Sequence, residues 1–399
     1  MRLIYLKKIH FLITNKYFKK LIKFILKKNY SLIFTFKRKF YFTMPGYLKN
    51  EKVKKLQFFK KHIGKNFFLI PVYGKIIAFA TGPLNDQRGI GRVTENLLNG
   101  IIDTLDLKKE FDFLPLEKKK KFEAFDLSCV DTYFFSSIHW CTDPLPKNSV
   151  IMIMDVIPLI FSDLFPKAVV KNWNVDFKKT AKNSEKIITI SLSSAKDISK
   201  YLEISPNKIC VVTPGVEKIS TDHSTKIFTP KEPFVLYLGS NDFHKNPKVI
   251  LEALASDLLR NTPAVFIGEN DDLKKMCKDF RINNKVFFKG RLNDGELGTV
   301  MSRASVLVFP SIYEGFGLPP LEAALMGVPS VCSRRPAMTE VLENCTLFAD
   351  PNNPIEWSQQ IFKLMNQSKL RNEIINNSRV KAGGCSWKNS SKKLLELLL

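Results

Sequence analysis

The chain lacks long hydrophobic runs and compact metal-binding motifs. None of its apolar runs reaches the roughly 18 residues expected of a membrane-spanning helix. It contains no C-x-x-C pair and no D-x-D triplet, and its five histidines show no ligand spacing. These absences argue against an integral membrane protein and a zinc site, and the missing D-x-D triplet agrees with a metal-free functional site.

Cysteines are present, but their pattern argues against a disulfide framework. Their number is odd and their spacing is irregular, which favours a protein of the reducing cytoplasm over a secreted one. The seven cysteines are Cys129, Cys141, Cys210, Cys277, Cys332, Cys345 and Cys385.

Acidic residues are nearly missing from the first 65 residues. Nineteen lysines and arginines stand there against Glu51 alone, a net charge of +18 in a chain whose total is +24. Residues 66–399 therefore carry only +6. A basic tail of this kind favours an anionic partner, either a lipid surface or a nucleic acid.

Residues 1–43 combine this charge with an apolar face. Apolar residues recur there at helical spacing with lysines beside them, the pattern of a basic amphipathic helix that lies on an anionic bilayer. A disordered tail, a nucleic-acid-binding arm, or sequence upstream of a translation start at Met44 rather than Met1 are the alternatives. No recognised nucleic-acid-binding module accompanies the tail, so we favour membrane-surface contact and predict no nucleic-acid partner. The apolar positions are Phe18, Leu21, Ile22 and Ile25.

The rest of the chain alternates short apolar runs with helical segments, which predicts parallel sheets covered on both faces. A polar stretch at residues 220–233 interrupts the pattern, which then starts again, so we predict two α/β domains. We expect an N-terminal extension at 1–74, domains at 75–228 and 229–385, and a C-terminal helix at 386–399 that could pack back on the first domain. The expected strands are 75–80, 132–135, 150–154, 186–190, 209–212, 234–238, 264–267, 285–288, 306–309 and 329–332.

The most informative stretch, residues 306–329, predicts a strand, a glycine-containing turn and a helix over 318–326. A glycine-rich turn that leads into a helix is an anion-binding arrangement, because free backbone N–H groups and the positive end of the helix dipole meet there. Glu314 and Glu322 flank the helix start and would suit hydroxyl groups. The pattern is therefore typical of a nucleotide-sugar site, and an ordinary strand–helix turn with two surface glutamates is the alternative.

Two further glycine-containing loops follow predicted strands. Gly89-Ile-Gly-Arg92 precedes a helical pattern at 93–102, but it lacks the G-x-G-x-x-G spacing of a dinucleotide site. Lys245 follows Gly239 in a loop ahead of a predicted helix at 248–259. Because the carboxyl ends of parallel strands meet at one edge of a sheet, we expect the loops of the second half to converge on one crevice. These loops are 239–247, 268–270, 289–293 and 313–318.

With two α/β halves, Lys245 after a glycine-containing turn, and the Glu314–Glu322 pair, the chain resembles the retaining GT-B glycosyltransferases of family 4, the group 1 glycosyltransferases, over about residues 75–398. The resemblance implies two Rossmann-like domains that face a central cleft. In that family the C-terminal domain binds a nucleotide-sugar donor, the N-terminal domain binds the acceptor, and no metal is bound.

The resemblance implies roles for three charged residues of the C-terminal half. Lys245 lies in a segment, Gly239 to Asn246, that matches the family segment whose lysine meets the donor diphosphate. Glu314 matches the glutamate that approaches the donor sugar, and Glu322 matches the one that accepts hydrogen bonds from the ribose hydroxyls. Glu314 and Lys245 are thus candidate catalytic residues.

Other positions in this half match the family's donor-binding segments. Arg291 falls in the loop that usually lies near the base or the ribose. His244 stands where the family usually has arginine, which departs from the expected phosphate clamp. The backbone that supplies N–H groups to the donor matches Gly315, Phe316, Gly317 and Leu318.

In the N-terminal half, the glycine-containing loop resembles that of a subgroup that includes bacterial mannosyltransferases. The resemblance implies that Gly89, Gly91 and Arg92 lie on the acceptor side. Residues 153–158 resemble the subgroup's Ile-His-Asp-Leu-Ile-Pro, with Asp155 kept as a third candidate catalytic residue.

Met154 departs from this subgroup, which has a histidine there at the border of the reaction centre. Methionine neither donates a useful hydrogen bond to a sugar hydroxyl nor carries a proton. Either His139, which follows another strand, compensates on the acceptor side, or activity is reduced or lost. A partly buried structural role is the alternative for His139.

We therefore predict a retaining, metal-independent glycosyltransferase that needs no cofactor. It would transfer a hexose such as mannose from a GDP- or UDP-linked donor to a lipid-linked or polysaccharide acceptor in surface-polysaccharide or lipopolysaccharide biosynthesis. We expect it in the cytoplasm, held peripherally at the inner face of the membrane by residues 1–43. A non-catalytic GT-B-like binding or scaffold protein is the alternative, motivated by Met154 and His244.

Overall fold

The computed structural model describes residues 63–64, 67–86, 89–105, 130–222, 224, 227–239, 242–268 and 270–399. The predictions for the basic segment 1–43 and for the translation start lie outside these residues. Among the described helices, none is long and apolar enough to cross a membrane.

The N-terminal domain is built on a seven-stranded sheet whose strands follow in chain order. The first three strands pair antiparallel and the remaining ones pair parallel. The central strands are apolar along their whole length because helices or loops cover both faces. The strands are β1 (Ile63–Gly64), β2 (Phe67–Val72), β3 (Lys75–Ala80), β4 (Thr132–Phe135), β5 (Ser149–Met152), β6 (Lys186–Thr189) and β7 (Ile209–Val211).

This sheet begins before the boundary expected at residue 75. β2 forms a hairpin with β3 through Tyr73 and Gly74, whose φ angles of 46° and 76° are those that tight hairpin turns require. Phe68 and Ile70 are 1% and 0% exposed, so β2 belongs to the core of the domain. The expected start is therefore too late, because the basic residues around this short run suggested a continuous extension.

The C-terminal domain is built on a six-stranded, all-parallel sheet with the order β10-β9-β8-β11-β12-β13. The chain places β9 and β10 on one side of β8 and then returns to place the later strands on the other side. The winding direction thus reverses between β8 and β11, where open α/β sheets bind ligands. The strands are β8 (Val235–Leu238), β9 (Ala264–Ile267), β10 (Val286–Lys289), β11 (Val306–Phe309), β12 (Ser330–Ser333) and β13 (Leu347–Ala349).

Helices cover both sheets, and those expected at 318–326 and 386–399 lie where they were predicted, to within one residue. The helix expected at 248–259 ends early: Pro247–Leu254 is followed by a separate 3-10 turn at Asp257–Leu259. The helices are α1 (Gly89–Thr104), α2 (Ile157–Ile160), α3 (Lys167–Asn172), α4 (Lys178–Asn183), α5 (Leu192–Leu202), α6 (Pro247–Leu254), α7 (Asp271–Asp279), α8 (Asp294–Arg303), α9 (Leu318–Leu325), α10 (Pro336–Leu342), α11 (Pro354–Asn366), α12 (Ser368–Gly384) and α13 (Trp387–Leu398).

The C-terminal helix α13 returns to the N-terminal domain and packs on α1. Ser386 caps its start by accepting a hydrogen bond from the Asn389 N–H. The Ser391 hydroxyl donates to the Leu97 carbonyl at 3.1 Å, and a side chain at Gly100 would overlap Ser391. The close approach of the two helices therefore requires glycine on α1.

The two domains are in direct contact across the cleft. One hydrophobic cluster contains Ile190 of the N-terminal domain together with Phe316 and Leu321 of the C-terminal domain. Met154 packs against the same cluster. The carboxyl edges of the two sheets therefore face one another at short range.

Candidate active site

The loops after β8 and β11 carry the two charged residues that the sequence singles out. The strands are adjacent, with Tyr237 paired to Val308, so their carboxyl ends lie side by side at the switch point. Lys245 ends a 3-10 turn, Phe243–Lys245, in the first loop. Asn246 follows with φ 48°, and its side-chain amide donates to the Pro310 carbonyl, which ties the first loop to the second.

Lys245 and Glu314 meet at this point. The Lys245 Nζ donates to Glu314 Oε1 at 2.5 Å, and both side chains are mostly buried, 21% and 15% exposed. The ammonium also lies 5.7 Å from the centre of the Phe309 ring. The structure therefore brings together the two residues expected to meet the donor phosphate and the donor sugar.

The glycine turn that follows Glu314 is shaped by close packing. Gly317 has a φ of 105° and precedes α9, and a side chain there would press on Met338. A side chain at Gly315 would lie 3.1 Å from the Met154 carbonyl oxygen of the other domain. Both positions thus require glycine, one for its backbone conformation and one for the cross-cleft approach.

The remaining two residues of this turn differ in burial. The Phe316 side chain is 4% exposed and belongs to the core, whereas Leu318 is half-buried at the first position of α9. Any contact that Phe316 makes with a ligand would therefore come from its backbone.

Glu322 lies on α9, and its side chain is buried at 3% exposure. An Arg92 guanidinium nitrogen reaches across the cleft to within 2.5 Å of Glu322 Oε1 and forms an ion pair with it. Burial raises the pKa of Glu322, the Arg92 charge opposes this shift, and Asp294 adds to it. An ionised carboxylate has about four acceptor sites, so Glu322 can accept from a ribose hydroxyl while it is paired with Arg92. Lys245, Glu314 and Glu322 are called the switch-point site below.

Gly239 and Arg291 flank this site. A side chain at Gly239 would overlap the Tyr237 hydroxyl, so glycine is required by that buried ring. Arg291 is exposed in the loop between β10 and α8. Asp294, three residues later at the start of α8, raises the pKa of Glu322 through its charge.

The expected acceptor-side residues are less closely grouped. Gly89 and Gly91 form the first turn of α1 rather than a loop, which corrects the expected start of this helix at residue 93. Gly91 is buried, and glycine is required there because a side chain would overlap the Asp86 carbonyl. Arg92 is the member of this group that contacts the switch-point site.

His139 and Asp155 are engaged within the N-terminal domain. The His139 ring packs edge-on against Trp173 and Phe177, at centroid distances of 5.6 and 4.9 Å. Asp155 Oδ1 accepts a hydrogen bond from the Ile157 N–H at 3.1 Å and so stabilises the turn into α2. The roles expected for these two residues stay predictions.

Sequence patterns did not indicate three contacts that join the domains. The Tyr313 hydroxyl donates to Asp197 Oδ2 at 2.7 Å. Glu340 accepts from the Leu192 and Ser193 N–H groups at the start of α5, both at 2.8 Å. These residues are far apart in the chain, so no local spacing could reveal the contacts.

Aromatic rings form the third cross-cleft contact. Phe243, in the turn that carries Lys245, packs edge-on against Phe161 and Phe165 at 5.4 and 5.7 Å. Phe161 also packs against Tyr313 at 6.2 Å. The Lys245 turn is therefore held from both domains.

Unpartnered buried polar atoms concentrate around the C-terminal sheet. Among the described residues, seven such side-chain atoms have no hydrogen-bond partner, and six of them belong to the C-terminal domain. They follow or flank the carboxyl ends of β8, β11 and β12. Buried polar groups without partners are rare in proteins, so this grouping is typical of a polar ligand site. Five of the six are Tyr237 Oη, His244 Nδ1, Ser311 Oγ, Ser333 Oγ and Arg335 Nε, and the sixth, Glu322 Oε1, is ion-paired with Arg92.

A separate cavity of about 610 Å³ lies at the outer edge of the C-terminal sheet. Its lining includes Arg334, Phe348 and Glu373, from the regions of β12, β13 and α12. It contains none of the residues of the switch-point site.

Comparison with known proteins agrees with this geometry. Residues 219–381 match the family model described as glycosyl transferases group 1. The chain is 30% identical over 223 residues to the O-antigen chain mannosyltransferase RfbU of Salmonella typhimurium, covering 55% of this chain and 62% of that protein. It is 26% identical over 282 residues to O-antigen chain mannosyltransferase B of Escherichia coli, covering 67% and 68%. The chain thus spans about two thirds of the length of these curated relatives.

Among solved structures, sucrose-phosphate synthase from Thermosynechococcus elongatus superposes with a TM-score of 0.59 at 16% identity, over 71% of this chain and 79% of that one. At this identity the likeness concerns the fold. The chain has the GT-B fold. The expected fold class, two Rossmann-like α/β domains on either side of a cleft, is confirmed.

Proposed function

We propose that the protein is a glycosyltransferase that moves a hexosyl group, with mannose as the first candidate, from a nucleotide-diphosphate sugar to a polysaccharide or lipid-linked acceptor in cell-surface polysaccharide biosynthesis. The observation that carries the proposal is the contact of Lys245 with Glu314 at the switch point, followed along the chain by the buried Glu322 on α9. The match to group 1 glycosyl transferases and the two O-antigen mannosyltransferase relatives support the same chemistry. Nothing in the comparisons favours a non-catalytic binding protein.

The switch-point site suits a reaction in which a diphosphate leaves the sugar. Negative charge grows on the leaving phosphate oxygen as its bond to the sugar breaks. The Lys245 ammonium and the N-terminal end of α9 would stabilise that charge. An ammonium has three N–H groups, so Lys245 can donate to Glu314 and to a phosphate together. The contact with Glu314 therefore positions Lys245.

The proposal extends to retention of configuration without a metal ion. The Glu314 carboxylate accepts a hydrogen bond from Lys245, which makes it a weaker nucleophile. This favours direct attack by the acceptor over a covalent sugar–Glu314 intermediate. The acceptor hydroxyl would attack on the face from which the diphosphate departs, forming the new C–O bond as the old one breaks, and its proton would pass to the leaving phosphate oxygen. The donor would be linked to GDP or UDP, and no cofactor would be needed.

Donor turnover tests this function directly. The purified protein is incubated with a panel of GDP- and UDP-sugars, with and without a bacterial membrane lipid extract, and release of nucleoside diphosphate and labelled product is followed. We expect turnover of at least one donor that increases with the extract, and retained configuration in the product by NMR. Failure to turn over any donor would contradict the function, and an inverted product would contradict retention alone.

We also propose that the protein acts as a peripheral protein at the cytoplasmic face of an anionic membrane. The support is the +18 charge of residues 1–65 and the apolar spacing within 1–43. Deleting residues 1–43 is expected to lower co-sedimentation with anionic liposomes, most strongly at low salt. Zwitterionic liposomes serve as the control, and unchanged binding to anionic ones would contradict the proposal.

A further inference from the structure

His244 lies in the switch-point region with a buried ring nitrogen that has no partner. It occupies the 3-10 turn Phe243–Lys245, and its carbonyl accepts a hydrogen bond from the Ile312 N–H at 2.8 Å. This bond fixes the turn against the loop after β11. Nδ1 is buried and forms no hydrogen bond with a described residue. A buried ring nitrogen without a protein partner can be satisfied only by water or by a ligand that enters the site.

The two ion pairs of the switch-point site do not give it a net positive charge. Lys245 is paired with Glu314 at 2.5 Å, and Arg92 lies 2.5 Å from Glu322. Each pair is close to neutral overall. A diphosphate that enters the site therefore needs positive charge beyond these pairs. The N-terminal end of the α9 dipole supplies only a fraction of a charge.

The charged groups that face His244 come from two loops. Lys245 and Asp242 lie on its own turn, and Glu314 lies on the loop after β11. The N-terminal domain contacts this turn through the uncharged rings of Phe161 and Phe165, which pack on Phe243. Burial and Lys245 lower the pKa of His244, while Glu314 and Asp242 oppose that shift, so the empty site favours the neutral imidazole.

We propose that His244 binds the donor diphosphate as an imidazolium and takes up one proton from solvent as the donor enters. The inference rests on the proposed function and adds a proton-linked step to donor binding. In a nucleotide sugar each phosphate has one ionised oxygen, so the diphosphate brings two permanent negative charges beside the ring. An imidazolium donates from both nitrogens, so protonation gives Nδ1 a role and supplies the charge that the two ion pairs do not.

Donor affinity then depends on pH with a definite sign. The negative diphosphate raises the pKa of His244 in the complex above that in the empty site. The complex therefore binds more protons than the free protein between these two values. Affinity rises by up to tenfold for each unit that the pH falls within this window, and it is flat above and below it.

Calorimetric titration counts the protons directly. GDP-mannose and UDP-glucose are titrated between about pH 5.5 and 8 in buffers that differ in their heat of protonation. Neither diphosphate ionises in this range, so any uptake belongs to the protein. We expect the wild type to take up close to one proton per donor at the pH of maximal linkage.

Three variants separate His244 from other sources of protons. His244→Arg carries a permanent charge and should bind the donor with no uptake and a flat pH profile. His244→Gln should bind at least tenfold more weakly at low pH, also without uptake. His139→Gln, which changes another described histidine on the acceptor side, should keep the uptake.

The outcomes distinguish this inference from the proposed function. Donor binding by the wild type without proton uptake, or uptake that persists in His244→Arg, would overturn the role of His244 and leave the function standing. Absence of binding by every nucleotide sugar at every pH would overturn both. Thermal unfolding of each variant shows whether a loss of binding comes from a loss of folding.

Discussion

The two sheets end differently at the cleft. At the carboxyl edge of the C-terminal sheet, Lys245 and Glu314 contact each other, and their separate loops are tied together by Asn246. At the edge of the N-terminal sheet, His139 and Asp155 are engaged with their own domain. The comparison teaches that the proposed donor side is assembled in advance, whereas the proposed acceptor side contributes mainly through contacts that cross the cleft.

Preassembly has a physical consequence for the donor side. Groups already oriented by neighbouring contacts cost little reorganisation when charge develops during the reaction. Variants of the switch-point site should therefore lose catalysis with little loss of stability. Variants of the cross-cleft contacts should act more weakly, through the relative position of the domains.

The largest effect is expected for Glu314→Gln. The change removes the charge that orients Lys245, so kcat should fall on the order of a hundredfold or more. Steady-state release of nucleoside diphosphate measures it. Glu343→Gln, at an exposed position just after α10, is the matched control and should retain the wild-type rate. Equal rates for the two variants would contradict a catalytic role for Glu314 at the edge of the C-terminal sheet.

Lys245→Met should act on donor binding. Hydrogen bonds to charged groups contribute about 1.5–3 kcal/mol, so the donor affinity should fall by roughly ten- to a hundredfold. Lys248→Met is a close control, because Lys248 is exposed on α6 and pairs with Glu252 of the same helix at 3.6 Å. Calorimetric titration with the preferred donor compares the two, and a normal affinity in Lys245→Met would place the diphosphate elsewhere.

Tyr313→Phe tests a contact that joins the two domains across the cleft. It removes the 2.7 Å hydrogen bond to Asp197 between the domains, so transfer should fall by about tenfold, with a smaller change in donor affinity. Tyr201→Phe, in a separate hydrophobic cluster of the N-terminal domain, is the control. A loss of donor affinity as large as that of Lys245→Met would show that Tyr313 acts on the donor itself.

Lys285→Met should leave activity nearly unchanged and affect stability. The Lys285 Nζ donates to the carbonyls of Leu254, Leu259 and Arg260 at 2.7, 2.7 and 2.9 Å, which ties β10 to the end of α6. Its loss should lower the free energy of unfolding by about 1–2 kcal/mol. Denaturant unfolding measures this, with the exposed Lys275→Met as control. A large fall in kcat at unchanged stability would contradict a purely structural role.

Much of the fold follows from local patterns. The strand at Val306–Phe309 was predicted with its observed bounds, and the helix at Leu318–Leu325 to within one residue, because an unbroken apolar run and a proline-marked helix start are local signals. The strand Phe67–Val72 was missed because it directly follows the basic segment and was assigned to the N-terminal extension. The start of α1 at Gly89 was missed because glycine usually marks a loop, whereas here Gly91 serves close packing.

The candidate site divides in the same way. Lys245 and Glu314 lie at fixed positions after strands, so topology alone brings them together. Arg92 was expected on the acceptor side, yet its guanidinium contacts Glu322. That contact depends on how the two domains face each other, which no spacing within one domain encodes.

The central claim is that the donor binds at the switch point between β8 and β11. A crystal structure of the protein with its preferred nucleotide sugar tests it most directly. The account predicts diphosphate oxygens within hydrogen-bonding distance of Lys245 Nζ and a ribose hydroxyl at Glu322. A nucleotide bound instead in the cavity beside Arg334 and Phe348, with Lys245 still paired only to Glu314, would contradict it.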